Sequence, residues 1–375
     1  MPAKPIAGSE LGHPRADLAL QDTLVIDATV HAYSMAEDNW VPGPYRDRVP
    51  KQLAEMLNNG QQVTPDGDLK WALDRKRFLG GADPELLGKA LFLESHTDMC
   101  VYHGTPMYGI FKDGGSPLWA GKRMQKMWPG RVALYGGVSP WEPGAVDEVE
   151  RLVKEDEVVG IKMYPMDIVE GRLVSYRLDD PEIAFPILER ARSLGVRVVA
   201  THKSIPQGRV PSEPFAPWDV AGAASAFPDL TIEIVHGGLA FLEETASQVH
   251  RFPNVAVNLE NSAFIMVKQP GHFARLLGEL IVRGGEDRIF WSSGATARHP
   301  QPFLQAFWNF QIPERMQDDY GYPELTTEIK QKILGLNQAR LLGWDLEEMR
   351  TRIEQDDIGM IKELQEPWGG IEHDQ

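Results

Sequence analysis

The chain alternates short, nearly uninterrupted apolar runs with longer stretches in which apolar residues return every three or four positions. The apolar runs are Leu24–His31, Met99–His103, Val132–Val138, Val158–Tyr164, Val196–His202, Thr231–His236, Val255–Glu260 and Arg288–Ser293. Runs of this length without polar alternation predict strands buried on both faces. Between most of them lie helical patterns, at Val146–Glu155, Pro181–Leu194, Pro217–Phe227, Leu242–Phe252 and Phe273–Arg283. Eight strands mostly separated by helices predict an α/β fold, a (β/α)8 TIM-type barrel. An open doubly wound sheet is the competing architecture, but no Gly-x-Gly-x-x-Gly follows the first strand.

The same pattern divides the chain. Residues 1–21 mix proline, glycine and charge and read as a flexible arm. Residues 22–343 carry the barrel. Within it, residues 32–88 are too long for a βα loop and predict an insertion that caps the mouth, with helical patterns around Arg48–Asn59 and Leu69–Leu79. His299–Gln311 and Glu324–Leu342 also read as helical. Residues 344–375 form a helical C-terminal tail, amphipathic over Glu347–Leu364, that packs on the barrel or on a second subunit of a homodimer.

Composition narrows the functional classes. A net charge of −16 lacks the basic footprint of a nucleic-acid binder or a protein of anionic membranes. No apolar run approaches the roughly 18 residues of a membrane span, and the first residues lack the apolar core of a signal peptide. Cys100 is the only cysteine, which excludes an intrachain disulfide and a thiolate cluster. The expectation is a soluble, cytoplasmic protein in which any metal is held by histidines and carboxylates.

Candidate chemistry sits where the strands end. His31, His103, His202 and His236 each close an apolar run, and strand tips of a parallel barrel converge at one mouth. Glu260 closes the run from Val255 and supplies the carboxylate that a divalent ion among imidazoles needs for charge balance. His103 is a ligand or a hydrogen-bonded support for one. Tyr164 and Trp291 read as pocket walls, Asn261 as a substrate-orienting amide, and Lys203 and Arg209 as candidates for an anionic group.

The segments Ile26–His31, Gly160–Pro165, Thr201-His202, Ile234–Gly238 and Lys332–Gly343 resemble the amidohydrolase superfamily. The closest branch is the one that includes aminocarboxymuconate-semialdehyde decarboxylase. The resemblance implies a metal at the C-terminal mouth, with His202 a ligand and His236 a second ligand or an acid–base histidine. It implies for Lys162 a contact with substrate or a carboxylate, or, as in two-metal relatives, carboxylation and a bridge between ions. Two family positions are altered. The first strand's His-x-His begins here with Thr29, and Gly294 stands where an aspartate is expected after Ser292-Ser293. That aspartate binds the metal and takes a proton from its water. Loss of such a base alone typically costs about 10²–10⁴-fold in rate.

Neutral imidazoles with one or two carboxylates, no thiolate and no hydrolytic base suit iron at least as well as zinc. A divergent group with this barrel, the non-haem diiron monooxygenase of platensimycin and platencin biosynthesis, hydroxylates a diterpenoid scaffold carried as a coenzyme A thioester. The resemblance thus leads to a first expectation. It is an oxidoreductase, a non-haem iron monooxygenase with one or two ions that hydroxylates an aliphatic C–H of a bulky apolar, CoA-linked diterpenoid. It would use dioxygen and an external electron donor. Its ligands would be His31, His103, His202, His236 and Glu260, with His236 and Lys162 catalytic. The alternatives are a mononuclear zinc or manganese hydrolase or non-oxidative decarboxylase, and a catalytically silent barrel. Decarboxylation suffers least from Gly294, because carbon dioxide leaves without an activated water.

Overall fold

A computed structural model describes residues 23–206, 210–356, 358 and 367–370. The proposed arm at 1–21, Arg209 and most of the tail beyond Asp356 lie outside the described residues.

All eight expected strands form: β1 Ile26–Val30, β2 Met99–His103, β3 Val132–Gly137, β4 Gly160–Met163, β5 Val198–His202, β6 Thr231–Val235, β7 Val255–Asn258 and β8 Ile289–Phe290. They pair in parallel, in chain order, as one sheet with helices between them. The two edges meet. The Ala28 amide donates to the Trp291 carbonyl at 2.9 Å, and the Ser292 hydroxyl to the Thr29 carbonyl at 2.8 Å. Because β8 has only two residues, side chains finish what backbone pairing begins. The Ser293 amide and hydroxyl both donate to the Asp27 carboxylate on β1. Ile161, Val199, Ile232 and Val257 pack outward against the helices in the main core.

Inside the barrel, the pairing register sets Lys162 of β4 beside Ala200, Ala200 beside Glu233, and Glu233 beside Ala256. Alanines on alternate strands leave space for two long charged side chains at one level. Burial pushes the Asp27 carboxyl up to about 6 despite its serine donors. An acid whose folded value lies above its unfolded value stabilises most when it is protonated. Its contribution is complete below about pH 4 and is lost as pH rises through about 6, a swing of about 3 kcal/mol. Asp27→Asn should therefore flatten the pH dependence of the unfolding free energy between about pH 4 and pH 7, read from urea titrations. An unchanged slope would remove Asp27 as its source.

The segment between β1 and β2 carries the helix Pro50–Gly60, where expected, but the second helical pattern resolves into short turns and the four-residue helix Arg75–Phe78. Pro65 and Asp68-Leu69 break the period there. Leu53, Leu57, Phe78, Met107 and Phe111 build a second apolar core over the mouth. Two further elements differ from expectation. Met166–Val169 and Arg172–Ser175 form an antiparallel hairpin across Glu170-Gly171, a two-residue turn with positive φ at both positions. The pattern 324–342 divides into Thr327–Gln331, a wide turn Lys332–Leu336 and Asn337–Leu342. Gly335 lies so close to β1 that a Cβ would stand 2.2 Å from the Leu24 carbonyl.

The helix Leu346–Gln355 is tied back to the barrel by Arg131, which bonds the Asp356 carboxylate at 2.7 and 2.8 Å. Farther on, Trp368 is 2% exposed. Its indole N–H donates to the Trp71 carbonyl, and its amide to Glu94, whose carboxylate also meets His299 at 3.0 Å. Among the described residues no helix is long and apolar enough to cross a membrane.

Candidate active site

Six of the predicted residues come together at the C-terminal mouth. His31, Lys162, Tyr164, His202, His236 and Glu260 share one cavity wall, roofed by Met35, Leu53, Leu57 and Met107. The space among them is about 30 Å3, room for one or two waters.

Each imidazole is oriented by a backbone carbonyl. His31 Nδ1 donates to the His103 carbonyl at 3.0 Å, which leaves Nε2 with a lone pair. His202 Nε2 donates to the Ile205 carbonyl at 3.0 Å, which leaves its Nδ1 to face His236 Nε2 at 2.8 Å. His236 sits just past β6 with φ +73°, and its Nδ1 lies 3.1 Å from the Glu260 carboxylate. Asn261 joins the two, its amide 3.1 Å from Glu260 Oε1 and 3.2 Å from His236 Nδ1. Burial first and the Lys162 ammonium second hold the His31 imidazole down to about 3. Burial likewise keeps His202 and His236 far below the usual range. All three are neutral bases at pH 7. Burial raises Glu260 to about 7, opposed by Lys162 and Arg298, and lowers Lys162 to about 8, opposed by Glu260 and Glu233.

Three predicted residues lie elsewhere. His103 is fully buried behind Thr29, 3.3 Å from its hydroxyl, and stacks on Tyr135 at 4.5 Å. Trp291 packs outside the barrel against Phe307. Lys203 is locked to Asp219 at 2.8 Å and to the Pro214 carbonyl, with no charge left for a ligand. Sequence reasoning missed Tyr33 and the cap side chains of the roof. It also missed Arg298, whose only signal was its place four residues past the altered Gly294.

The two departures from the family pattern have structural consequences. Thr29 donates to its neighbour's carbonyl and accepts from Asn258 at 2.8 Å, so it belongs to the barrel's internal hydrogen bonds. At Gly294, with φ +69°, a Cβ would meet Glu260 Oε1 at 3.1 Å. The Glu260 carboxylate thus borders the position the family gives to aspartate. Gly294→Asp should cost about 2 kcal/mol or more from left-handed strain and repulsion by Glu260, without restoring a hydrolytic site. Chemical denaturation and an esterase or amidase assay check both halves.

The donor chemistry fits a divalent ion. Two ligands at about 2.1 Å and near right angles stand about 3 Å apart, close to the His202–His236 separation. His31 Nε2 and Glu260 border the same cavity. Among the described residues, however, no three such side chains already meet as a ligand set.

The amidohydrolase family's sequence model matches residues 114–344, and the chain belongs to that family. No curated protein matches it by sequence. Among solved structures it is similar to 5-carboxyvanillate decarboxylase from Sphingomonas paucimobilis, at 15% identity and TM-score 0.51 over 86% of this chain and 100% of that one. An uncharacterised TIM-barrel protein from Bordetella bronchiseptica gives 15% and 0.56 over 85% and 98%. A dihydroxybenzoic acid decarboxylase from Polaromonas sp. JS666, solved with manganese and an inhibitor, gives 14% and 0.51 over 86% and 96%. At these identities the likeness is one of fold.

The expectation of an iron monooxygenase, and with it of an oxidoreductase, is corrected. Family membership together with decarboxylases on this fold favours the alternative, a hydrolase or non-oxidative decarboxylase. The wall supplies the physical reason. It offers one carboxylate, Glu260, where two irons need several.

Proposed function

We propose that the protein is a non-oxidative decarboxylase acting on a small carboxylic acid in the cavity beneath the cap. The observation that carries this reading is Lys162. Its Nζ reaches the cavity wall from mid-strand with no hydrogen bond or ion pair among the described residues. A buried cation without a paired anion is costly, and a substrate carboxylate is the anion that would complete it.

His31, His202, His236 and Glu260 would hold a divalent ion, manganese or zinc. When bound, that ion would supply Lewis-acid polarisation of the substrate. The chain's own side chains do the rest. Lys162 orients the carboxylate, and the apolar roof strips it of water, which favours dispersal of its charge into departing carbon dioxide. The C–C bond breaks with its electron pair left on the substrate carbon. Lys162 Nζ stands on the side from which CO2 departed and gives that carbon a proton, which solvent then restores to the amine. Hydrolysis lacks its base at Gly294, so decarboxylation is the better supported of the two.

The test is release of CO2 from a panel of small aromatic and unsaturated carboxylic acids, with manganese or zinc supplied, under nitrogen and under air. Equal turnover in both atmospheres is expected. Turnover only in air, or none in the presence of bound metal, would overturn the reading.

A further inference from the structure

We infer that a second pocket, walled by Tyr176, Asp180, Glu213, Trp218 and Asp219, binds a small organic cation with several N–H donors, a guanidinium or primary ammonium compound. It shares no lining residue with the cavity at the barrel mouth, so the inference is independent of the decarboxylase reading.

The pocket forms where the chain leaving the hairpin, from Ser175 to Asp180, meets the turns Glu213–Phe215 and Pro217–Asp219. It holds about 300 Å3, the lower end of the range for small-molecule sites. Two oxygens of its buried wall lack a partner among the described residues. Asp219 is 4% exposed, and its Oδ2 accepts from Lys203 Nζ and from the Leu178 amide, both at 2.8 Å. Its Oδ1 accepts from nothing. Tyr176 is 6% exposed, and its hydroxyl is likewise unbonded. Burial, and then the Asp219 charge, push that hydroxyl well above the usual tyrosine range, so it stays a neutral phenol that feels the carboxylate beside it. Buried oxygens left without donors are costly, and a ligand that donates to both removes the cost.

The charge of the wall selects a cation. Asp180 and Glu213 form no ion pair among the described residues, although Asp180 Oδ1 caps the amides of Glu182 and Ile183. Arg177, the one cation among the lining residues, is committed to Asp179 by two bonds of 2.8 Å. Lys203 cancels the charge of Asp219 and nothing more. Two carboxylates therefore remain uncompensated. Trp218 is 56% exposed and sits in the same wall. An indole face attracts a guanidinium or ammonium group, whereas a bare metal ion would draw only on oxygens. An organic cation uses the carboxylates, the idle oxygens and the ring together.

The probes are butylguanidinium, its neutral match butylurea, and tetramethylammonium, a cation without N–H donors, each titrated calorimetrically into the full chain. Butylguanidinium should bind at least tenfold more tightly than either of the others. Glu213→Gln and Trp218→Ala, both at exposed positions outside the catalytic cavity, should each weaken it at least fivefold and leave butylurea within twofold. Tyr176→Phe should weaken it at least threefold. Equal affinities for butylguanidinium and butylurea, equal affinities for butylguanidinium and tetramethylammonium, or no binding of butylguanidinium would overturn the inference. So would a preference that survives unchanged in Glu213→Gln. Calcium chloride that saturates the pocket alone, and is lost in Glu213→Gln, would assign it to a metal ion instead and overturn the inference as well. The wild-type comparisons need no variant, so misfolding of Tyr176→Phe leaves the test intact.

Discussion

Lys162→Met is expected to lower turnover by about 10²–10⁴-fold, the span usual for a positioned proton donor, while the protein stays folded. The substitution keeps the stem and removes the charge. It takes away the cation that opposes the upward pull of burial on Glu260 and Glu233, so both carboxyls move higher still. Removing a buried, unpaired ammonium relieves a desolvation cost, so the unfolding temperature should hold or rise. Binding of benzoate should fall together with turnover, because one Nζ serves both. A variant that melts early, or one that turns over normally, would place Lys162 in the scaffold and out of the reaction.

Trp368→Ala is expected to destabilise the fold by about 3–5 kcal/mol, in the range for deleting a large buried aromatic. The indole packs edge-on against the His299 ring at 4.9 Å, while Trp71 of the cap covers that ring at 4.8 Å. Removing it opens a cavity between the cap and the helix Pro84–Phe92, and leaves the Trp71 carbonyl without its donor. Loss should appear first as faster amide exchange across residues 69–94, with the barrel strands still protected. Urea denaturation gives the magnitude. A cost below about 1 kcal/mol would mean that this segment does not bind the cap in solution.

The barrel was legible because its strands are apolar throughout and its helices amphipathic, and those two periods cannot be confused. The convergence of His31, His202, His236 and Glu260 was legible for a related reason: each ends a strand, and strand ends share a mouth. Lys162 lies in mid-strand, and its place in the cavity depends on which face of β4 turns inward, which one residue of register decides. The roof was less legible. Leu53 and Leu57 have an ordinary helical spacing, and only the folded cap shows that they cover the mouth. Lys203 misled because a lysine after a strand-end histidine looks exposed, while its partner Asp219 is sixteen residues away and invisible to local pattern. Arg298 escaped notice because a single arginine in a loop carries no period. The monooxygenase expectation failed differently. A missing aspartate says which reaction has been weakened, and is silent on which remains.

The join between β1 and β8 sets a condition on biosynthesis. Asp27 and Ser293 are 266 positions apart in the chain, and their contact can form only when nearly three hundred residues have emerged from the ribosome. Until then the first strands present an unfinished, sticky sheet edge to the cell. Helper proteins that shield nascent chains should therefore matter more for the yield of this protein than its final stability implies.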